Sequence, residues 1–178
     1  MDKSENAIPA QQLRSEISKM LDRLRGNSHP SRTLFTEEAR NLLRWREHHG
    51  IPGLWDNPPL MLTATLDDGW GHGLEVIRLC AEAAGMRVRH LGLLRSADAV
   101  IRACCEHHPH ILGMTVLQFD SEEELAQIRR KIPPETRIIA GGPLFHADPE
   151  FAARSGIDIV AKDAADFLHF LLHDRTMV

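Results

Sequence analysis

Apolar residues along the chain follow two different patterns, and the change between them lies near residue 60. Before that point, residues 11–25 carry an apolar side chain at every third or fourth position, which predicts an amphipathic helix: Leu13, Ile17, Met20, Leu21 and Leu24. A second helical stretch begins near Thr36 and ends before Gly50. The first part of the chain is therefore expected to be a short helical extension.

From Leu60 onward, short apolar runs alternate with amphipathic stretches, which is typical of βα units around a parallel sheet. Ser96 is predicted to cap one of the helices, and Ser121 with Glu124 forms a capping-box pattern before another. Right-handed crossovers favour a flavodoxin-like, doubly wound sheet of order 2-1-3-4-5. We predict five strands, at residues 60–66, 86–92, 110–116, 136–140 and 157–161.

A segment that contains Trp55 and two adjacent prolines, residues 53–59, separates the two patterns. Prolines lack an amide donor and restrict the preceding residue, so this segment cannot continue a helix and is interpreted as a linker. The expected organisation is an N-terminal helical extension or partial cap at 1–58 and an α/β domain at 59–178.

Composition narrows the classes of function. The formal charge of −4 comes from 21 basic and 25 acidic residues spread along the chain, so no basic stripe for nucleic acid is expected. No apolar run reaches the roughly 18–20 residues of a membrane span, and the polar start lacks a secretory core, which favours the cytoplasm. Cys80, Cys104 and Cys105 have neither C-x-x-C spacing nor an even count, and are expected to be buried thiols.

Three loops stand where a ligand is expected, because open α/β sheets bind ligands at the carboxyl ends of their strands. The first strand exits into residues 67–73, the third ends at 113–117 and the fourth at 140–143, and each loop contains glycine. The first loop lacks the G-x-G-x-x-G spacing and the P-loop lysine, which disfavours those two kinds of nucleotide binding. Alone, it also fits a tight turn in which Asp68 caps a helix.

Together these loops resemble the cobalamin-binding domain of corrinoid methyltransferases and cobalamin-dependent mutases, over residues 60–172. That family carries D-x-H-x-x-G, G-x-S-x-L and G-G after its first, third and fourth strands. Here the motifs read Asp68-Gly69-Trp70-Gly71-His72-Gly73, Gly113-Met114-Thr115-Val116-Leu117 and Gly141-Gly142. The resemblance implies a bound cobalamin, with Thr115 in place of the serine that contacts the nucleotide tail. The implied cofactor-binding residues are Asp68, Gly69, Trp70, Gly71, His72, Gly73, Thr115, Leu117, Gln118, Phe119, Gly141, Gly142, Pro143 and Asp163.

Trp70 departs from the family, whose members place a histidine at this position to ligate cobalt from below. The indole nitrogen is a donor with no lone pair to give, so Trp70 cannot replace that ligand. The indole either lies flat under the corrin or fills the tail cleft. Asp68, which in the family orients the histidine, is left as a helix cap. His72 is the candidate metal ligand. Its simpler interpretation is a partly exposed surface histidine.

These features favour a corrinoid-binding protein that holds cobalamin base-off without a protein histidine. It would act as a methyl carrier or cofactor module for a methyltransferase or radical enzyme, or assemble with itself through the N-terminal helices. Catalysis of corrinoid-dependent methyl transfer would require that partner, because no acid-base pair or activated nucleophile emerges from the chain. Two alternatives stay open: a cofactor-free scaffold or regulatory subunit, and a tetrapyrrole-based light or redox sensor using His72 or His146.

Overall fold

The computed structural model describes residues 7–26, 31–67 and 72–174. In chain order the elements are α1 Ala7–Arg25, α2 Arg32–His48, β1 Leu60–Ala64, α3 His72–Ala84, β2 Arg87–Gly92, α4 Ala97–His107, β3 Ile111–Thr115, α5 Glu122–Lys131, β4 Arg137–Gly141, α6 Leu144–Ala147, α7 Phe151–Ser155, β5 Ile159–Val160 and α8 Ala164–His173. A short 3-10 helix at Phe119–Ser121 precedes α5. All five predicted strands are confirmed, and the fifth is only two residues long.

The strands form one sheet of order β2-β1-β3-β4-β5, which confirms the flavodoxin-like α/β fold. The three pairs from β1 to β5 are parallel, and their register aligns Thr63 with Gly113 and Gly113 with Ile139. Alternate strand residues such as Leu62, Leu112 and Ile138 point to one face, where they join a buried core. Helices α4, α5 and α7 supply the other side of that core with Val100, Cys104, Leu125, Ile128 and Phe151.

The chain divides into two compact units, and the division crosses the expected boundary at residue 58. One unit comprises Leu60–Glu75 and Val88–Asp163. The other combines three segments: Met1–Pro59, Val76–Arg87 and Ala164–Val178. The separate domains at 1–58 and 59–178 stay a prediction.

Within the second of these units, α1 packs on α2 and α8. The apolar stripe predicted for α1 is confirmed as a buried face, since Leu13, Ile17, Met20, Leu21 and Leu24 are all buried. Arg14 Nη1 donates to Leu172 O at 2.6 Å, which fastens α1 to the last helix. Helix α2 begins at Arg32 rather than near Thr36, because Ser31 Oγ accepts the amide of Leu34 and caps it. None of the described helices is long and apolar enough to cross a membrane.

The predicted linker is a packed connection. Leu54 N donates to Ala84 O at 2.9 Å, and Trp55 is buried. Gly53 and Gly85 lie so close that a Cβ on Gly85 would run into the Gly53 Cα. Because Gly85 also has a φ of +94°, a side chain there would be strained by backbone geometry as well as by contact. Residues 53–55 of this segment are therefore packed in the interior of their unit, whereas Asp56 and Asn57 are exposed.

Of the two predicted helix caps, one is confirmed and one is wrong. Ser96 Oγ accepts the amide of Ala99 at 3.3 Å and caps α4. Ser121 makes no such bond, since it lies in the 3-10 helix before α5 and its Oγ donates to Gln118 O at 2.7 Å. The capping-box pattern fails because the extra turn places Ser121 in helical rather than extended backbone.

The three cysteines differ more than expected. Cys80 and Cys104 are buried, and burial raises the pKa of each thiol to about 12. Cys105 is exposed, so the prediction that all three thiols are buried is wrong. Adjacent helical positions point about 100° apart, which is why Cys104 faces the core and Cys105 faces solvent.

Candidate functional site

Asp67 connects three loops at the carboxyl edge of the sheet. Its carboxylate oxygen Oδ2 accepts the amide of Leu117 at 2.7 Å, which joins the loop after β1 to the loop after β3. Its carbonyl accepts the Thr65 hydroxyl at 2.8 Å and the amide of Leu94 at 3.3 Å, which adds the loop after β2. Asp67 is only 6% exposed. Sequence reasoning assigned it no role, and the only available signal was an acidic residue directly after a buried strand.

Part of the first motif lies outside the described residues, namely Asp68, Gly69, Trp70 and Gly71. His72 begins α3, and its side chain also lies outside the described part. Gly73 and Thr115 are brought together: a Cβ on Gly73 would meet Thr115 Oγ1 at 3.2 Å. The hydroxyl of Thr115, in the third motif, therefore lies beside the amino end of α3, close to the last residue of the first motif.

Gly141 and Gly142 allow the end of β4 to lie against its neighbours. A Cβ on Gly142 would run into the carbonyl of Val116, and its φ of +149° is a conformation that other residues rarely adopt. A Cβ on Gly141 would lie 2.9 Å from Ala161 O. The space beside both glycines is thus taken by the chain's own backbone. The packing of the fold therefore explains why both positions are glycine. Contact between these glycines and a cofactor tail stays a prediction.

Exposed apolar side chains flank the exit of β1. Among the described residues, the exposed large hydrophobic side chains are those of Leu93, Leu94, Leu117 and Phe119. The first two follow β2 and the last two follow β3, the strands on either side of β1. Leu94 is 65% exposed. Its backbone φ of +53° is also unfavourable for leucine. Exposed apolar side chains that cluster at one edge are common at binding surfaces, and we refer to these four residues as the apolar rim.

The remaining predicted residues lie in exposed positions of the loops and helices that follow β3, β4 and β5. Gln118 and Pro143 are exposed in the loops after β3 and β4, and Asp163 is exposed between β5 and α8. His146 is exposed on α6. Within residues 7–26, 31–67 and 72–174, no group of three or more histidine, cysteine or acidic side chains is placed to hold a metal ion. The described part of this edge offers a ligand apolar side chains, backbone groups and polar side chains such as that of Thr115.

Comparisons with known proteins address the family and the fold of the chain. A family model described as the B12 binding domain matches residues 61–169. The fold is similar to a novel cobalamin-binding protein from Desulfitobacterium hafniense DCB-2, with a TM-score of 0.75 and 19% identity over 93% of this chain and 83% of that one. It is also similar to the monomethylamine corrinoid protein of Methanosarcina barkeri, with a TM-score of 0.57 and 16% identity over 75% of this chain and 62% of that one. The comparison with curated proteins found no match.

Replacing Asp67 tests whether it holds the loops together. Asp67→Ala leaves the Leu117 amide without its partner in a partly buried place, which should lower the free energy of unfolding by about 1–3 kcal/mol. Asp67→Asn keeps an oxygen acceptor and should lower it by less. Urea unfolding measures both, and hydrogen exchange at the Leu117 amide should be faster in the alanine variant. Unchanged stability and exchange in Asp67→Ala would contradict this role.

Proposed function

We propose that this chain, which belongs to the B12-binding domain family, holds a corrinoid base-off with no protein histidine below the cobalt. In this proposal the protein carries the cofactor for a separate methyltransferase or radical enzyme. The observation that carries the proposal is Trp70, which stands in D-x-H-x-x-G at the position of the family's histidine. An indole nitrogen has no lone pair to donate, so this position offers cobalt no ligand.

A bound corrinoid supplies a cobalt centre for methyl transfer, and a lower face free of imidazole favours the low-coordinate, reduced state that accepts a methyl cation. The chain's own contribution is to bind the corrinoid and to orient it. Asp67 holds the loops after β1, β2 and β3 in one arrangement. Thr115, at the amino end of α3, presents a hydroxyl for the nucleotide tail.

Binding without a cobalt-histidine bond needs another source of affinity, and the apolar rim supports one. Leu94, Leu117 and Phe119 expose apolar surface that a corrin would remove from water. Full burial of one such side chain contributes about 1.5–3 kcal/mol. Partial burial of three therefore amounts to several kcal/mol, comparable with a modest ligand bond.

The need for a partner enzyme follows from the chemistry available at the edge. The carboxylate of Asp67 already accepts a backbone amide. Among the described residues, the predicted cofactor contacts other than glycines are Thr115, Leu117, Gln118, Phe119, Pro143 and Asp163, and they suggest no pair of nucleophile and base. A protein with this edge is suited to presenting a cofactor, while the methyl donor or acceptor is activated elsewhere.

A second candidate function is a cofactor-free scaffold or regulatory subunit. The observation that favours it is the glycine packing, because Gly142 and Gly141 adjoin the backbone of Val116 and Ala161. These glycines would be required by the fold even if no cofactor tail passed beside them. The two candidates differ in whether the purified protein retains a corrinoid.

The first test compares wild type with Trp70→His after incubation with hydroxocobalamin and removal of unbound cofactor. Wild type should retain a single equivalent with a base-off visible spectrum. Trp70→His restores the family's imidazole and should shift that spectrum. His72→Gln is the control, and its spectrum should equal that of wild type. Colourless wild-type protein would refute cofactor binding and leave the scaffold, and a spectrum that changes in His72→Gln would identify His72 as a ligand.

The second test uses the unfavourable backbone of Leu94. Asparagine tolerates positive φ better than leucine, so Leu94→Asn should leave the free energy of unfolding unchanged or raise it by up to about 1 kcal/mol. The same change removes apolar surface from the rim and should weaken corrinoid affinity roughly tenfold, which corresponds to about 1.4 kcal/mol. Urea unfolding and spectroscopic titration measure the two effects. The exposed Glu135→Gln, between α5 and β4, is the control. Unchanged affinity in Leu94→Asn would refute the role of the rim.

A further inference from the structure

Two histidines lie side by side on the last helix, and the proposed function uses neither. His169 and His173 are one turn apart on α8, and both are exposed. Their ring centroids are 4.1 Å apart with the planes tilted by 34°. Side chains four residues apart on a helix are surface neighbours, so both rings lie over the same patch of the helix.

The hydrogen bonding of His173 determines which of its two ring nitrogens is available as a metal ligand. Its Nδ1 lies 2.8 Å from the carbonyl oxygen of His169. A carbonyl only accepts, so Nδ1 carries the hydrogen and Nε2 of the neutral ring keeps its lone pair. A histidine that donates from one ring nitrogen to a carbonyl and ligates through the other is a common arrangement at metal sites. His173 is therefore already oriented and in the required tautomer.

We propose that His169 and His173 chelate a divalent transition-metal ion of the class that prefers imidazole, such as Ni²⁺, Cu²⁺ or Zn²⁺. Among the residues that the structure describes, no third histidine, cysteine or acidic side chain completes a cluster, so water fills the remaining positions. The pair occupies the last turns of α8, where the helix dipole favours a cation. This site is independent of the corrinoid and needs no residue of the proposed cofactor site.

Another histidine pair provides a matched control. His48 and His49 lie at the end of α2, and Nδ1 of His49 also contacts a carbonyl, that of Trp45, at 2.8 Å. Their ring centroids are 5.2 Å apart, but the rings meet edge to face at 80°. Because the two residues are adjacent rather than one turn apart and their rings meet edge to face, they are not expected to chelate one ion.

The experiment is a calorimetric titration of the untagged full chain with NiCl₂, with and without hydroxocobalamin. Wild type should bind one Ni²⁺ per chain in both conditions. His169→Gln and His173→Gln should each weaken that binding by roughly tenfold or more, whereas His48→Gln should not. An intact titration in both α8 variants, an equal loss in His48→Gln, or one Ni²⁺ per two chains would overturn the proposal.

Hydrogen exchange of the wild type provides a second measurement that needs no variant. A metal bound by the folded helix stabilises it, so NiCl₂ should slow exchange of the amides in the last turn of α8. Exchange in the last turn of α2 should not change. Equal effects on both helices, or no effect on α8, would overturn the proposal. Cofactor retention is measured separately, so failure of this site and failure of the corrinoid proposal are distinguishable.

Discussion

The buried carboxylate of Asp67 is the constraint on which the functional edge depends. A parallel sheet brings the ends of β1 and β3 to one edge but does not by itself set the path of the loops that follow. Asp67 sets that path by accepting the Leu117 amide with its side chain and the Leu94 amide with its carbonyl. A buried carboxyl group is costly unless it is hydrogen-bonded, so the bond from the Leu117 amide and the burial of the Asp67 side chain require one another.

The same edge contains features that an ordinary fold avoids. Leu94 has a positive φ and a largely exposed apolar side chain, and Phe119 is 55% exposed while its ring also meets Phe151 edge to face. Other large apolar side chains of this unit, such as Leu62, Leu125 and Phe151, are packed in a buried core. Departures from local rules that concentrate at one edge are expected where function, rather than stability, selects the residues.

The parts of the fold that could be predicted from sequence are those set by short-range patterns. The stripe on α1, the five strands and the cap at Ser96 each depend on neighbours within a few residues. Two predictions failed for reasons that are also local. The cap at Ser121 does not form because Ser121 lies in an extra helical turn before α5. Helix α2 starts earlier than predicted because Ser31 caps it. The role of Asp67 was not predictable, because its partner Leu117 is 50 residues away and the bond forms only after the sheet has assembled.

The central claim is that no nitrogen ligand lies below the cobalt, and electron paramagnetic resonance of the protein loaded with cobalt(II) cobalamin tests it most directly. An axial nitrogen splits the cobalt lines, whether it comes from the protein or from the cofactor's own base. The account predicts a spectrum without nitrogen splitting for the wild type. It predicts splitting in Trp70→His that changes when the protein nitrogen is isotopically labelled. Nitrogen splitting in the wild-type spectrum would contradict the account.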